Sequence, residues 1–163
     1  MAVSSTPMNL TQAAHVGISV SDLDASIAFY RALTGRDPIV ADETMRSVPF
    51  GGTQGLPNAE LRYATFNLDN IGIDLIQFQD PVGTPTHGAA NRPGSMHLCF
   101  EVEDFDAVHR RMEEAGYGFL GDDYTFVAGE VTPDEALGTQ VAYFNDPDGT
   151  NLEIIRPRGG FAN

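Results

Sequence analysis

The chain has 163 residues, of which 42% are hydrophobic, and 23 acidic residues against nine basic ones give it a formal net charge of −14. A chain of this length can bury one substantial core, and its negative surface repels nucleic acid and anionic membranes. The charge also counts against a highly anionic substrate. No apolar run approaches the roughly 20 residues that span a bilayer. We therefore expect a globular protein without nucleic-acid or membrane partners.

The N-terminal sequence and the cysteine content indicate the compartment. The first 12 residues, MAVSSTPMNLTQ, lack the basic and apolar regions of a signal peptide. Cys99 is the single cysteine, so no intrachain disulfide can form, and this suits a reducing compartment. We expect a cytoplasmic protein in which Cys99 is a small hydrophobic residue without a chemical role.

Hydrophobic periodicity predicts a strand–helix–strand–strand–strand module at 13–79, after a loose N-terminal segment at 1–12. Alternation predicts strands, and apolar residues at helical spacing predict a helix. The elements in chain order are a strand (14–20), a helix capped by Ser21 or Asp22 and ended by Gly35, a short strand (38–42), a mobile Gly- and Pro-rich loop (45–58), and two strands (60–68 and 71–79) joined by an Asp69-Asn70 turn.

The second half repeats this plan at 96–157, after a linker at 80–95 that is rich in Gly and Pro, and before a tail at 158–163. We expect the two modules to form one compact domain. The predicted elements are a strand (96–102), a helix (104–115), an extended segment (117–127), a second loop (128–138) and a final hairpin (139–145 and 151–157) that turns at Asp146–Gly149. We expect the loops at 45–58 and 128–138 to cover the mouth of a pocket.

One sequence pattern occurs twice in the chain. The segment HVGISVSDLDAS begins at His15, and HLCFEVEDFDAV begins at His97, 82 residues later. Asp22 and Asp104 keep the same offset. A period of about half the chain indicates two copies of one structural unit rather than a solenoid with many short repeats.

The duplicated strands predict a metal site. Apolar residues of each first strand face the helix, so His15 and His97 lie on the opposite face. The same alternation places Asp74 and Glu153 on that face of each module's last strand. Two imidazoles and two carboxylates directed into a shared cavity are a donor set for one divalent ion of Fe, Mn, Co, Ni or Zn.

Four segments together resemble the vicinal oxygen chelate superfamily, which includes glyoxalase I, methylmalonyl-CoA epimerase, extradiol dioxygenases and bleomycin resistance proteins. The segments are HVGISVSDLDASIAFY, GIDLIQF, MHLCFEVEDFDA and YFNDPDGTNLEII. The resemblance implies an α+β fold in which two βαβββ modules form a cupped, incomplete eight-stranded mixed barrel. It also implies a homodimer, and metal ligands at His15, Asp74, His97 and Glu153.

Position 74 departs from the superfamily pattern, which has Glu or sometimes Gln where this chain has Asp74. Aspartate is one methylene shorter than glutamate. Asp74 can therefore bind a metal directly, bind it through a water molecule, or accept a hydrogen bond from a histidine that does.

Strand pairing predicts the residues that contact a substrate. Across the Asp69-Asn70 turn, Thr65 lies beside Asp74, with Tyr63 and Asn67 on the same face. Across the last hairpin we expect Gln140, Ala142 and Phe144 on the face of Glu153. Phe78 adds apolar surface. The substrate-binding candidates are Thr65, Asn67, Phe78, Gln140 and Phe144, and the catalytic candidates are Glu153 and Tyr63. We expect His87 and His109 to be surface residues.

Three functions are compatible with these residues. The first is a metal-dependent lyase, isomerase or epimerase, in which Glu153 removes a proton next to a carbonyl of a small, fairly apolar substrate and the metal stabilises the enolate. The second is a non-haem Fe(II) dioxygenase that uses His15, His97 and Glu153. The third is a binding protein that sequesters a toxin or antibiotic without catalysis.

Overall fold

The structure is a computed structural model that describes residues 8–41, 43–85 and 89–158. It has the α+β fold expected from the sequence, with two mixed sheets and few helices. The chain divides into two compact units, residues 1–84 and 85–163, and the boundary lies within the segment 80–95. The described residues include only part of four predicted segments: 1–12, 38–42, 80–95 and 158–163. The predicted surface residue His87 lies outside the described residues.

The first unit is a five-stranded sheet with one long helix on one face. Its strands follow the order β1-β5-β4-β2, and β3 also pairs with β4. The elements are β1 (His15–Ser19), α1 (Leu23–Thr34), β2 (Ile39–Val40), β3 (Met45–Arg46), α2 (Val48–Thr53), β4 (Glu60–Asn67) and β5 (Gly72–Asp80). Strand β1 runs parallel to β5, and the remaining pairs are antiparallel.

Helix α1 begins and ends where its sequence predicts. The Asp22 carboxylate accepts a hydrogen bond from the Ala25 amide at 3.0 Å, and Gly35 ends the helix in the left-handed conformation at a φ of 67°. The buried residues of α1 recur every three or four positions and pack against the sheet. The core of the unit includes Leu23, Ile27, Tyr30, Ala64, Phe66, Ile73 and Leu75.

The prediction of a mobile loop at 45–58 is wrong, because this segment contains β3 and α2. The Ser47 side chain caps α2, and Pro49 lies in its first turn, where proline needs no amide partner. Gly51 is buried, and a Cβ atom there would lie 2.3 Å from the Leu56 carbonyl oxygen. Glycine in this segment therefore allows close backbone packing rather than mobility.

The second unit repeats the arrangement with a four-stranded sheet in the order β6-β9-β8-β7. Its elements are β6 (His97–Glu101), α3 (Phe105–Glu114), β7 (Tyr124–Thr125), a short 3₁₀ turn (Asp134–Ala136), β8 (Gln140–Asn145) and β9 (Asn151–Arg156). Strand β6 runs parallel to β9, as β1 does to β5. The core includes Phe105, Met112, Phe144, Leu152 and Ile154.

The cap of α3 repeats the cap of α1. The Asp104 carboxylate accepts from the Ala107 amide at 3.1 Å, 82 positions after the equivalent contact in the first unit. Within the described residues, no helix has the length and apolar character required to cross a membrane.

The duplicated cap gives a stability prediction. We expect Asp104→Ala to lower the free energy of unfolding by about 1 kcal/mol, because the Ala107 amide loses its acceptor. The matched control is Glu103→Ala, which removes the same charge from the adjacent exposed position without breaking the cap, and should change stability by less than about 0.5 kcal/mol. Urea denaturation followed by circular dichroism measures both. Equal losses would show that charge, not capping, stabilises α3.

Candidate functional site

In the first unit, the parallel register of β1 and β5 brings a histidine and a carboxylate together. His15 lies opposite Gly72 and Gly17 lies opposite Asp74, so the two side chains project from the same face on neighbouring strands. His15 Nε2 lies 3.6 Å from Asp74 Oδ2. The Asp74 side chain is 23% exposed, which leaves it accessible to a ligand.

The second unit repeats this register and holds its pair more tightly. His97 lies opposite Asn151 and Cys99 lies opposite Glu153. His97 Nε2 lies 3.0 Å from Glu153 Oε2, and the Glu153 side chain is only 5% exposed. A buried carboxylate requires hydrogen-bond partners, because its desolvation is otherwise costly.

Each carboxylate also has a hydroxyl group opposite it on the adjacent antiparallel strand. Thr65 pairs with Asp74, and its Oγ1 donates a hydrogen bond to Oδ1 at 2.7 Å. Tyr143 pairs with Glu153, and the nearby carboxylate contributes to raising the pKa of its phenol. The sequence analysis predicted the position of Thr65 but missed Tyr143.

Glu153 has a third neighbour in Cys99, which lies directly opposite it in the parallel register of β6 and β9. Cys99 is an exposed residue, but partial desolvation of its thiol, then the Glu153 carboxylate and finally the charge of Glu101 raise its pKa well above the usual value. Burial and the same carboxylate raise the pKa of Tyr143 to about 12. The His97 ring also meets Tyr143 edge-on, with centroids 5.7 Å apart. Cys99 thus belongs to the side-chain cluster around Glu153, which the sequence analysis did not anticipate.

A cavity of about 230 Å³ opens beside Asp74 in the first unit. Tyr63 and Asp74 lie on one wall, as the predicted pairing of β4 and β5 requires. Phe50 and Gln54 also line the cavity, and they lie in and just after the helix that replaces the predicted loop. The remaining lining residues are apolar: Met45, Leu61 and Ile76.

The predicted register of the last hairpin is wrong by one residue. Tyr143 lies opposite Glu153, whereas Phe144 lies opposite Leu152 and Gln140 opposite Arg156. A slip of one residue moves every side chain to the other face. Phe144 is therefore fully buried in the core, and Gln140 donates to Asp106 of α3 at 3.1 Å. Neither residue, nor Ala142, lies on the face of Glu153.

Other candidates lie where the pairing of β4 and β5 predicts. Asn67 is exposed opposite Gly72, and Phe78 lies opposite Leu61, a residue of the cavity wall. The prediction of a surface position is wrong for His109. Its side chain is 16% exposed, and its ring stacks on that of Phe119 with the ring centroids 4.1 Å apart.

The two pairs supply the donor types of a divalent metal site, imidazole nitrogen and carboxylate oxygen. Across residues 8–41, 43–85 and 89–158, no group of three or more His, Cys, Asp or Glu side chains is arranged to hold a metal ion. One histidine and one carboxylate give two ligands, whereas protein sites for these metals usually have three or four. The donor atoms of each pair suit a divalent metal, and each pair alone supplies only part of a usual ligand set.

The family profile of the glyoxalase/bleomycin resistance protein/dioxygenase superfamily matches residues 12–154. Two characterised relatives are Glyoxylase I 4 of Arabidopsis thaliana and an ethylmalonyl-CoA/methylmalonyl-CoA epimerase of Cereibacter sphaeroides. The first is 28% identical over 148 residues, which are 91% of this chain and 72% of the plant protein. The second is 32% identical over 112 residues, which are 66% of this chain and 72% of the epimerase.

A solved structure confirms the fold. The crystal structure of a glyoxalase family protein from Bacillus cereus superimposes with a TM-score of 0.70 at 20% identity, over 97% of this chain and 100% of that one. At this identity the likeness concerns the fold alone.

The cluster around Glu153 gives a prediction for thiol reactivity. We expect Cys99 in the native, EDTA-treated chain to react slowly with a disulfide reagent at pH 8, because its raised pKa keeps the reactive thiolate scarce. Glu153→Gln removes a carboxylate charge that raises this pKa, so the rate should increase on the order of tenfold and its pH profile should move to lower pH.

The control for this prediction is Glu101→Gln, because Glu101 makes the smallest contribution to the pKa of Cys99. Its effect on the rate should be the smaller of the two. Cys99 is the single cysteine, so the released chromophore reports on it directly. An unchanged rate in Glu153→Gln would contradict the proposed contact.

Proposed function

Because the chain belongs to the glyoxalase/bleomycin resistance protein/dioxygenase superfamily, we propose that it is a metal-dependent isomerase, epimerase or lyase that removes a proton next to a carbonyl group. The observation that carries the proposal is the duplicated pair of histidine and carboxylate, in the same register on the first and last strands of each unit. A structural role alone does not require a histidine and a carboxylate at these positions in both copies.

His15, Asp74, His97 and Glu153 together would hold one divalent ion. Members of the superfamily generally use a divalent metal, and these four side chains are suitable ligands. When bound, the ion would act as a Lewis acid that stabilises negative charge on a substrate oxygen. The chain's own contribution is to orient its ligands through strand register, which fixes each imidazole next to a carboxylate.

Glu153 is the residue that we propose as the general base. It is buried, and His97, Cys99 and Tyr143 surround it on the neighbouring strands and restrict its orientation. A base has to lie within hydrogen-bond reach of the proton that it removes, so a fixed carboxylate favours the transfer. The epimerase relative supports this assignment, since epimerisation requires a proton to leave and return at one carbon.

The cavity beside Asp74 would receive the apolar part of the substrate. Its lining is mainly apolar, and Tyr63 and Gln54 supply groups that can form hydrogen bonds. The volume of about 230 Å³ suits a small molecule. The net charge of −14 disfavours a strongly anionic substrate. We therefore propose a small, weakly charged carbonyl compound.

One observation favours the alternative of a non-haem Fe(II) dioxygenase. Thr65 occupies one oxygen of Asp74, and the other is 0.6 Å farther from its histidine than the equivalent Glu153 oxygen, at 3.6 Å against 3.0 Å. If Asp74 is not a ligand, His15, His97 and Glu153 remain, which is the set of two histidines and one carboxylate used by such enzymes. The homodimer, the cytoplasmic location and the role as a toxin-binding protein stay predictions.

We predict about one divalent ion per chain in the purified protein, measured by plasma mass spectrometry. His97→Ala should abolish binding. Asp74→Asn should weaken it less than Glu153→Gln, because Glu153 is more buried and closer to its histidine. The control is His109→Asn, which replaces a histidine of α3 outside both pairs. Stoichiometric metal in His97→Ala would refute the site, and the opposite order of the carboxylate variants would make Asp74 the primary one.

Proton exchange tests the proposed reaction. We expect the metal-loaded chain to catalyse incorporation of deuterium from D₂O into hydroxyacetone, a small uncharged carbonyl compound, detected by mass spectrometry, without oxygen consumption. Glu153→Gln should lower the exchange rate by at least about 100-fold, because it removes the base. The control is Glu101→Gln, which removes an exposed carboxylate on the same strand face as His97. This variant should retain the wild-type exchange rate. Oxygen uptake without exchange would favour the dioxygenase instead.

A further inference from the structure

The same kind of contact occurs within each unit, and neither the repeat nor the superfamily resemblance indicates it. A hydroxyl-bearing residue lies directly opposite each candidate metal-binding carboxylate on the neighbouring antiparallel strand. Thr65 of β4 lies opposite Asp74, and Tyr143 of β8 lies opposite Glu153. These two residues are not related by the 82-residue offset, so the structure, not the sequence alignment of the two copies, makes them equivalent.

In the first unit the two oxygens of Asp74 have different partners. Thr65 Oγ1 donates to Oδ1 at 2.7 Å, and Oδ2 faces His15 Nε2 at 3.6 Å. A hydroxyl fixed on one oxygen restrains the rotation of the carboxylate about its last bond. The other oxygen then stays directed toward the histidine, where a metal ligand is required.

In the second unit the side chain that carries the carboxylate is longer than in the first, and so is the side chain that carries the hydroxyl opposite it. Glu153 carries one more methylene than Asp74, so its oxygens lie farther from the strand. The phenol of Tyr143 reaches farther than a threonine side chain, and Tyr143 lies directly opposite Glu153. The same phenol ring meets His97 edge-on, so Tyr143 contacts both members of the pair.

We propose that Thr65 and Tyr143 are positioning residues that hold Asp74 and Glu153 so that each presents one oxygen beside its histidine for the metal ion. The metal in this inference rests on the proposed function. The restraint on each carboxylate does not, because it follows from the strand register and the hydroxyl contacts. Residues of this kind usually change metal affinity 10- to 100-fold when their hydrogen bond is removed.

The experiment uses the full chain with Co²⁺ as the probe. Thr65→Val and Tyr143→Phe remove each hydroxyl and keep the shape of the side chain. We expect each to weaken Co²⁺ binding by about 10- to 100-fold in competition with a chromophoric chelator, and to alter the visible spectrum of the bound ion. Thr65→Ser restores the hydroxyl and should restore both readouts.

Two further variants control for loss of a hydroxyl elsewhere. Thr44→Val removes a hydroxyl that donates to Gln79 in the first unit, and Tyr117→Phe removes a phenol in the second unit whose ring lies edge-on to Phe144. Both should leave the Co²⁺ affinity and spectrum unchanged. Wild-type affinity and spectrum in Thr65→Val and Tyr143→Phe would overturn the proposal.

Crystal structures of the two hydroxyl variants without metal separate this inference from the proposed function. Reorientation of Asp74 in Thr65→Val and of Glu153 in Tyr143→Phe would support the positioning role even if the wild-type chain bound no Co²⁺, which would refute the metal site alone. Carboxylates that keep their wild-type orientation in both variants would overturn the positioning role.

Discussion

The parallel pairing of the first and last strand within each unit is the constraint on which the candidate site depends. In each unit, the residue opposite the carboxylate lies two positions after the histidine on the same strand. This holds for β1 with β5 and again for β6 with β9. Parallel strands cannot be joined by a tight turn, so the helix and the intervening strands serve as the connection. The distance along the chain between His15 and Asp74, or between His97 and Glu153, is thereby converted into a contact of a few ångströms.

The two pairs differ in their environment although their registers agree. Glu153 is almost fully buried, and its interactions with His97, Cys99 and Tyr143 compensate for the loss of water around its charge. Asp74 is partly exposed beside a cavity and receives a hydrogen bond from Thr65. This asymmetry supports separate roles, with Glu153 as the more strongly held ligand and base, and Asp74 next to the position proposed for the substrate.

The strand pairings show why some site residues could be predicted from sequence and others could not. The short turn between β4 and β5 fixed their register, so the position of Thr65 opposite Asp74 was predicted correctly. The connection between β8 and β9 includes Thr150, because the Asp146 carboxylate accepts from the amides of Asp148 and Thr150. One additional turn residue shifted the register and placed Tyr143, instead of Ala142, opposite Glu153.

The sequence by itself determined the two-module plan, the approximate start of each long helix, and the face of each strand that carries His15, Asp74, His97 and Glu153, because periodicity and capping signals are local properties. Only the tertiary structure decided that Cys99 and Tyr143 are the strand neighbours of Glu153. The position of α2 depends on the close approach of two backbone segments at Gly51. The cluster around Glu153 depends on the register of β8. Such contacts join residues distant in the chain, and a change of one residue in a turn alters them while leaving the hydrophobic pattern intact.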